Sequence, residues 1–295
     1  MRISVETYSM RARFDDKTAL EMIRAAGFDC FDYSMYRLDC SMYHWIESQT
    51  EDMFGPNYRE QAQELRRFAD QLGLVCNQAH APFEMVYGDA FSLSDEKYAR
   101  VVKSLEIASI LGAKNVIVHA IQRYFPDSVD YYAYNRDFFG SLLPYCEKFD
   151  ICVSVENLAK GNTETGASLS GLSDPAQHRA FVQSLGSDRF NICVDVGHSA
   201  ITGSKPQDVI RAMGGELLKA LHLQDNDGKT DLHRIPYSCS LEWDEILAAL
   251  RDIRYSGDIT LEITRHLAKL PDALMQSALV FAAQIARYFA AQLEA

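Results

Sequence analysis

Eight short apolar runs, each followed by a longer stretch of helical periodicity, most restrict what this chain can fold into. They read RISVET (2–7), FDCFDY (28–33), LVCNQAH (74–80), NVIVHA (115–120), ICVSVEN (151–157), NICVDVGH (191–198), KALHLQD (219–225) and DITLEIT (258–264). Most are rich in Val, Ile or aromatic residues and lack strict two-residue alternation. Parallel strands covered on both faces read this way.

The intervening stretches carry helix start and stop signals. Leu65, Phe68, Ala69 and Leu72 form one apolar stripe ahead of Gly73, and Tyr98, Val101, Val102, Leu105 and Ala108 form another ahead of Gly112. Asp95 and Glu96 suit a positive helix start, Pro175 and Pro206 suit first-turn positions, and Ser240 is placed to cap the helix carrying Ile246, Leu247 and Leu250. The last helix runs from about Pro271 to Gln292. Eight strand–helix units predict a (β/α)8 TIM barrel, with a doubly wound open sheet as the other fold of the same alternation. The 295 residues fit one domain spanning 1–295. Long connections at 34–57 and 158–173 are expected to cover a site; Tyr36, Tyr43 and Trp45 in the first either stack on a ligand or pack on the barrel.

Composition narrows the partners. The formal net charge is −12 and the densest basic cluster is Arg66-Arg67, so no nucleic-acid partner is expected. Seven cysteines, irregularly spaced and without a C-x-x-C pair, predict reduced thiols and a cytoplasmic protein, with Cys76, Cys152 and Cys193 buried in strands. No run approaches a membrane span and no signal sequence precedes the first strand, so no membrane partner is expected.

The chemistry-bearing residues collect at strand ends: His80, His119, Glu156, Asp195 with His198, His222, and Glu262. In a closed barrel these ends share one mouth, where barrel active sites lie. Singly, each histidine could bond a carbonyl and each carboxylate could cap a helix. Together they place several buried carboxylates side by side, a cost that a divalent cation offsets. Mixed Glu/Asp/His ligation suits Mn²⁺, Co²⁺, Mg²⁺ or Zn²⁺.

With HAPF (80–83), NVIVHA, VSVEN (153–157), CVDVGH (193–198), ALHLQDNDGKTDLH (220–233) followed by LEW (241–243), and ITLEIT (259–264), the chain resembles the xylose-isomerase-like TIM barrel superfamily over nearly its whole length. That group holds sugar isomerases and epimerases, inositol-catabolism enzymes and type IV apurinic endonucleases. The resemblance to ketose 3-epimerases implies Glu156, Asp195, His222 and Glu262 as ligands of one divalent metal. It implies Glu156 and Glu262 also as the acid/base pair, passing through an enediolate, and His198 as a substrate contact. The resemblance to the apurinic endonucleases adds His80, His119, Asp231 and His233 and implies a three-zinc cluster, so more than one ion is possible. The expected activity is a metal-dependent isomerase or epimerase of a small sugar; the alternatives are an inositol-type dehydratase, a phosphodiester hydrolase and a barrel that binds without catalysis. Homo-oligomers are implied by the resemblance alone. One stretch departs from the family: RIPYSCSLEW (234–243) carries Tyr237, Ser238 and Cys239 where glycines are usual, which puts the path of that loop in question. Arg123, Lys160, Arg234 and Arg265 near strand ends read as surface charges or as anion contacts.

Overall fold

The computed structural model describes residues 1–36, 52–83, 92–122, 128–158 and 172–294, with side chains omitted at 128–130. Each of the eight apolar runs holds a strand: β1 (Ile3–Glu6), β2 (Cys30–Ser34), β3 (Val75–His80), β4 (Asn115–Val118), β5 (Cys152–Glu156), β6 (Phe190–Asp195), β7 (Leu218–His222) and β8 (Ile259–Leu261). The pairings β1–β2 through β6–β7 and β1–β8 are all parallel. The remaining seam is joined by the parallel bridge Leu223–Leu261, with Leu223 N donating to Thr260 O and Glu262 N to Leu223 O. The ring is thus a nearly closed (β/α)8 barrel, which excludes the open sheet.

The helices are α1 (Tyr8–Arg11), α2 (Asp16–Ala26), α3 (Tyr58–Leu72), α4 (Glu96–Leu111), α5 (Ser128–Phe149), α6 (Pro175–Ser184), α7 (Val196–Ile201), α8 (Pro206–Leu217), α9 (Trp243–Asp252), α10 (Thr264–Ala268) and α11 (Asp272–Glu294). Their ends follow the local chemistry. Gly73 and Gly112 take φ of +68° and +88° and stop α3 and α4. Asp95 Oδ1 accepts from Lys97 N, and Pro175 and Pro206 open α6 and α8. The expected Ser240 cap is not made. Ser240 Oγ donates to Asn226 O instead, because Asp225 organises this turn by accepting from Cys239 N, Leu241 N and Trp243 Nε1.

The strands do alternate, in chemistry rather than in exposure. Val116, Val118, Val153, Val155, Ile192 and Val194 face the helices and join the main apolar core. The opposite positions fill the barrel interior, where Ile117, Cys193 and Ala220 make a small apolar cluster. Most other interior positions are polar and paired: Ser154 Oγ donates to Asn191 Oδ1, and Asn191 Nδ2 to Asn115 Oδ1. Both faces are buried, so apolar content alone hid the period. Cys76 and Cys193 are buried as expected, whereas Cys152 at the first position of β5 is only partly covered. Among the described residues no helix is long and apolar enough to cross a membrane.

Candidate active site

Five of the eight histidines and five carboxylates meet at the mouth formed by the carboxyl ends of the strands, with Asp32 just below them inside the barrel. Glu156, the last residue of β5, lies at the centre. Its Oε2 is 2.6 Å from His119 Nε2 and 3.5 Å from His80 Nε2, and its Oε1 is 2.9 Å from His222 Nδ1. Glu262, just past β8, brings Oε2 to 3.4 Å from His222 Nδ1 and 3.4 Å from His233 Nδ1. All nine residues singled out in the sequence therefore reach one mouth, and Glu156, Asp195, His222 and Glu262 are buried there.

Local structure sets each of them. Asp195 ends β6 and also caps α7, accepting from His198 N at 2.8 Å, which fixes its carboxylate. Asn157 ties β5 to β6: its Nδ2 donates to Asp195 O and its Oδ1 accepts from Asp195 N. His198 Nδ1 lies 2.9 Å from Asn157 O and 3.7 Å from Asp195 Oδ2. Gln224 Nε2 donates to Asp231 Oδ1 at 2.9 Å and sits 3.4 Å from both oxygens of Asp195, while its Oε1 accepts from His233 N. His233 holds φ of +43°, a conformation that costs a non-glycine residue and that aims its ring at Asp231, 3.0 Å from Oδ2.

Arg265 Nη2 lies 3.6 Å from Asp231 Oδ2, so this residue faces the site rather than standing as a detached surface charge; Arg234 pairs through its backbone with Asp225. Tyr36 is buried, stacked on Tyr8 and packed against Phe83, with His80 at its edge. Tyr43, Trp45, Arg123, Lys160 and most of the two long connections fall outside the described residues.

The electrostatics favour cations here. Burial opposes charging His198, His222 and His233, yet their neighbours override it: Asp195 and Asp231 push His198, and Cys193 with Glu262 and Glu156 push His222, well above the ordinary imidazole range, while Asp231 and Glu262 push His233 up to about 9. Burial also pushes the Glu156 carboxyl up, but His222 and His119 outweigh it and hold it well below the usual range. Burial, reinforced by Asp195 and Glu156, leaves Glu262 raised against the pull of His222 and His233. Three sets of ligand atoms lie within 4.8 Å of one another: His80, Glu156 and His222; Asp195, His198 and His233; and Glu156, Asp195, His222 and Glu262. Glu262 Oε2 is buried without a hydrogen bond among the described residues. An acceptor of that kind, facing three other oxygen and nitrogen donors, fits a divalent cation.

Two acidic residues of this site were absent from the sequence expectation. Glu6 ends β1 and Asp32 stands in the middle of β2, both about 1% exposed. Glu6 carried the signal used for the others, a carboxylate closing an apolar run in RISVET, whereas Asp32 lies inside FDCFDY, two residues before the end of its strand.

A parallel eight-stranded barrel with buried carboxylates and imidazoles at its mouth defines an enzyme-like TIM barrel with a metal-competent site. Residues 20–284 match the family described as xylose isomerase-like TIM barrel, and the chain belongs to that family. It is 26% identical over 264 residues to a D-psicose 3-epimerase of Enterocloster bolteae, covering 84% of this chain and 76% of that protein. Two further curated relatives are matched over only 50% and 34% of their own lengths. The fold is shared with a D-psicose 3-epimerase solved in the presence of D-fructose (TM-score 0.73, 18% identity, 98% and 99% of the two chains). It is shared equally with the IolI protein solved with a zinc atom (TM-score 0.73, 15% identity, 99% and 98% of the two chains).

Proposed function

We propose that this chain is a divalent-metal-dependent isomerase or epimerase of a ketose or related keto-polyol. The observation that carries this reading is the convergence of Glu156 and Glu262 on His222 Nδ1, at 2.9 and 3.4 Å, from strands three places apart round the barrel. Glu156, Asp195, His222 and Glu262 would hold the cation, which supplies a Lewis acid that acidifies the C–H beside a carbonyl. The protein's own part is proton transfer. One of Glu156 and Glu262 takes the proton from that carbon, leaving an enediolate. The other returns a proton to the opposite face for epimerisation, or to the neighbouring carbon for isomerisation. Each such group contributes roughly 10²–10⁴-fold. Burial excludes water that would otherwise compete for the carboxylates. His198 and the Asp231–His233 pair are positioned to bond substrate hydroxyls. The D-psicose 3-epimerase relative supports the same class of chemistry.

A second reading has one observation in its favour. His80 and His119 beside Glu156, and His198, His233 and Asp231 beside Asp195, complete the ligand set of a three-ion phosphodiester hydrolase. The net charge of −12 opposes a nucleic-acid substrate. Glu156→Gln and Glu262→Gln test the first reading: each is expected to abolish turnover of the ketose that the wild type accepts, and an active double variant would sink the mechanism. We also read the protein as a homo-oligomer, which light scattering on the eluted protein checks.

A further inference from the structure

His222 separates two carboxylate environments. Its Nδ1 faces the oxygens of Glu156 and Glu262, while its Nε2 lies 3.1 Å from Asp32 Oδ2, deeper in the barrel. An imidazole that gives one nitrogen to a cation carries its proton on the other, and whatever accepts that proton sets the tautomer. Asp32, when ionised, only accepts.

Asp32 reaches His222 across the barrel, because β2 and β7 are not neighbours in the sheet. It is itself held in place. Gln78 Nε2 donates to the same Oδ2 at 2.8 Å, and Gln78 Oε1 accepts from Thr260 Oγ1. Thr260 Oγ1 accepts in turn from Asn77 Nδ2, and Asn77 Oδ1 from Ser4 Oγ. This hydrogen-bonded run from β1, β3 and β8 fixes the amide of Gln78 so that it presents a donor to Asp32. Asp32 Oδ1 is buried with no hydrogen bond among the described residues. A carboxylate kept there at that cost is ill suited to a merely structural task, which an amide or an apolar side chain would serve better.

We propose that Asp32 is a positioning residue: it accepts the Nε2–H of His222 and so commits Nδ1 to the cation held with Glu156, Asp195 and Glu262. This rests on reading the site as a metal centre. Gln78 holds Asp32 in the orientation that does so.

Zinc titration of the metal-free wild type, Asp32→Ala and Asp32→Asn, followed by calorimetry, tests this together with the melting temperature of each metal-free protein and the ¹⁵N shifts of His222 in the zinc-loaded one. Asp32→Ala is expected to weaken zinc binding by roughly 10–100-fold, with a metal-free melting temperature no lower than that of the wild type. Asp32→Asn keeps a carbonyl acceptor and should recover part of the lost affinity, with Nε2 still protonated. Zinc binding by Asp32→Ala equal to that of the wild type overturns the role of Asp32 and leaves the metal centre standing. Equal losses in both variants overturn the hydrogen-bond account. A wild type that binds no zinc overturns the metal centre itself, and this role with it.

Discussion

Gly197 leaves the space that the side chain of Gln224 fills: a Cβ at Gly197 would stand 2.3 Å from Gln224 Cδ. Gln224 is fully buried and bonded to Asp231 and His233, so it cannot swing aside freely. Gly197→Ala must displace either Gln224 or the start of α7, which Asp195 caps. The expected result is a loss of ~1–3 kcal/mol of stability from overpacking and weaker metal binding through Asp195. Urea denaturation and a metal titration check both. An alanine variant matching the wild type in each would show that Gln224 does not occupy this space.

Tyr237 answers the question raised by the missing glycines. It takes φ of +68°, the left-handed conformation that glycine would adopt freely, and packs its half-exposed ring near Trp243 and Phe289. The loop thus keeps a turn of the glycine type with a non-glycine residue in it. Tyr237→Gly and Tyr237→Ala both lose the ring, but only alanine keeps the strain. The glycine variant should be the more stable by ~1–2 kcal/mol, read from denaturation midpoints. Equal stability would contradict the left-handed backbone.

Glu6 is expected to make stability fall with rising pH. Burial pushes its carboxyl up to about 8, against an ordinary 4.5 and against the hydrogen bonds from Ser9. Between those values the folded state holds a proton that the unfolded state has released, so its contribution is full below about 4.5 and is lost as pH rises through about 8. Glu6→Gln keeps a neutral side chain able to bond Ser9 and removes the dependence. Its melting temperature should gain on the wild type across that interval and run parallel above it. A constant offset at all pH values would show that Glu6 does not titrate there.

Chelation tests whether the cluster holds an ion. A ligand at about 100 times its dissociation constant stabilises the folded state by ~2.7 kcal/mol, which in a chain of this size raises the melting temperature by roughly 4–5 °C. Removing metal from the purified protein should lower it by that order, and readdition should restore it. About one ion per chain supports the four-residue centre; two or more would favour the larger ligand set.

Much of this was legible in the sequence because barrel topology turns distance along the chain into proximity in space. Glu156, Asp195, His222 and Glu262 are recognisable by their place at the ends of apolar runs, and closure of the ring brings them together. Glu6 obeys the same rule but belongs to no matching ligand set, and Asp32 sits inside β2, two residues short of its end, where a strand-end rule does not reach. Gln224 was harder to see. Its importance comes from a side chain fitting over Gly197, and packing of that kind has no sequence period. Ser240 misled because it stands where a cap belongs, while Asp225, far earlier in the chain, takes the backbone amides of the same turn.

Proton transfer at carbon by Glu156 and Glu262 is the step on which the proposed function depends. The most direct test is incubation of the metal-loaded enzyme with a panel of ketoses and inositol-type ketones in deuterated water, with deuterium read by mass spectrometry. Label is expected at the carbon beside the carbonyl of at least one substrate, and none with Glu156→Gln or Glu262→Gln. No label on any compound, with cleavage of abasic DNA by the same preparation, would contradict it.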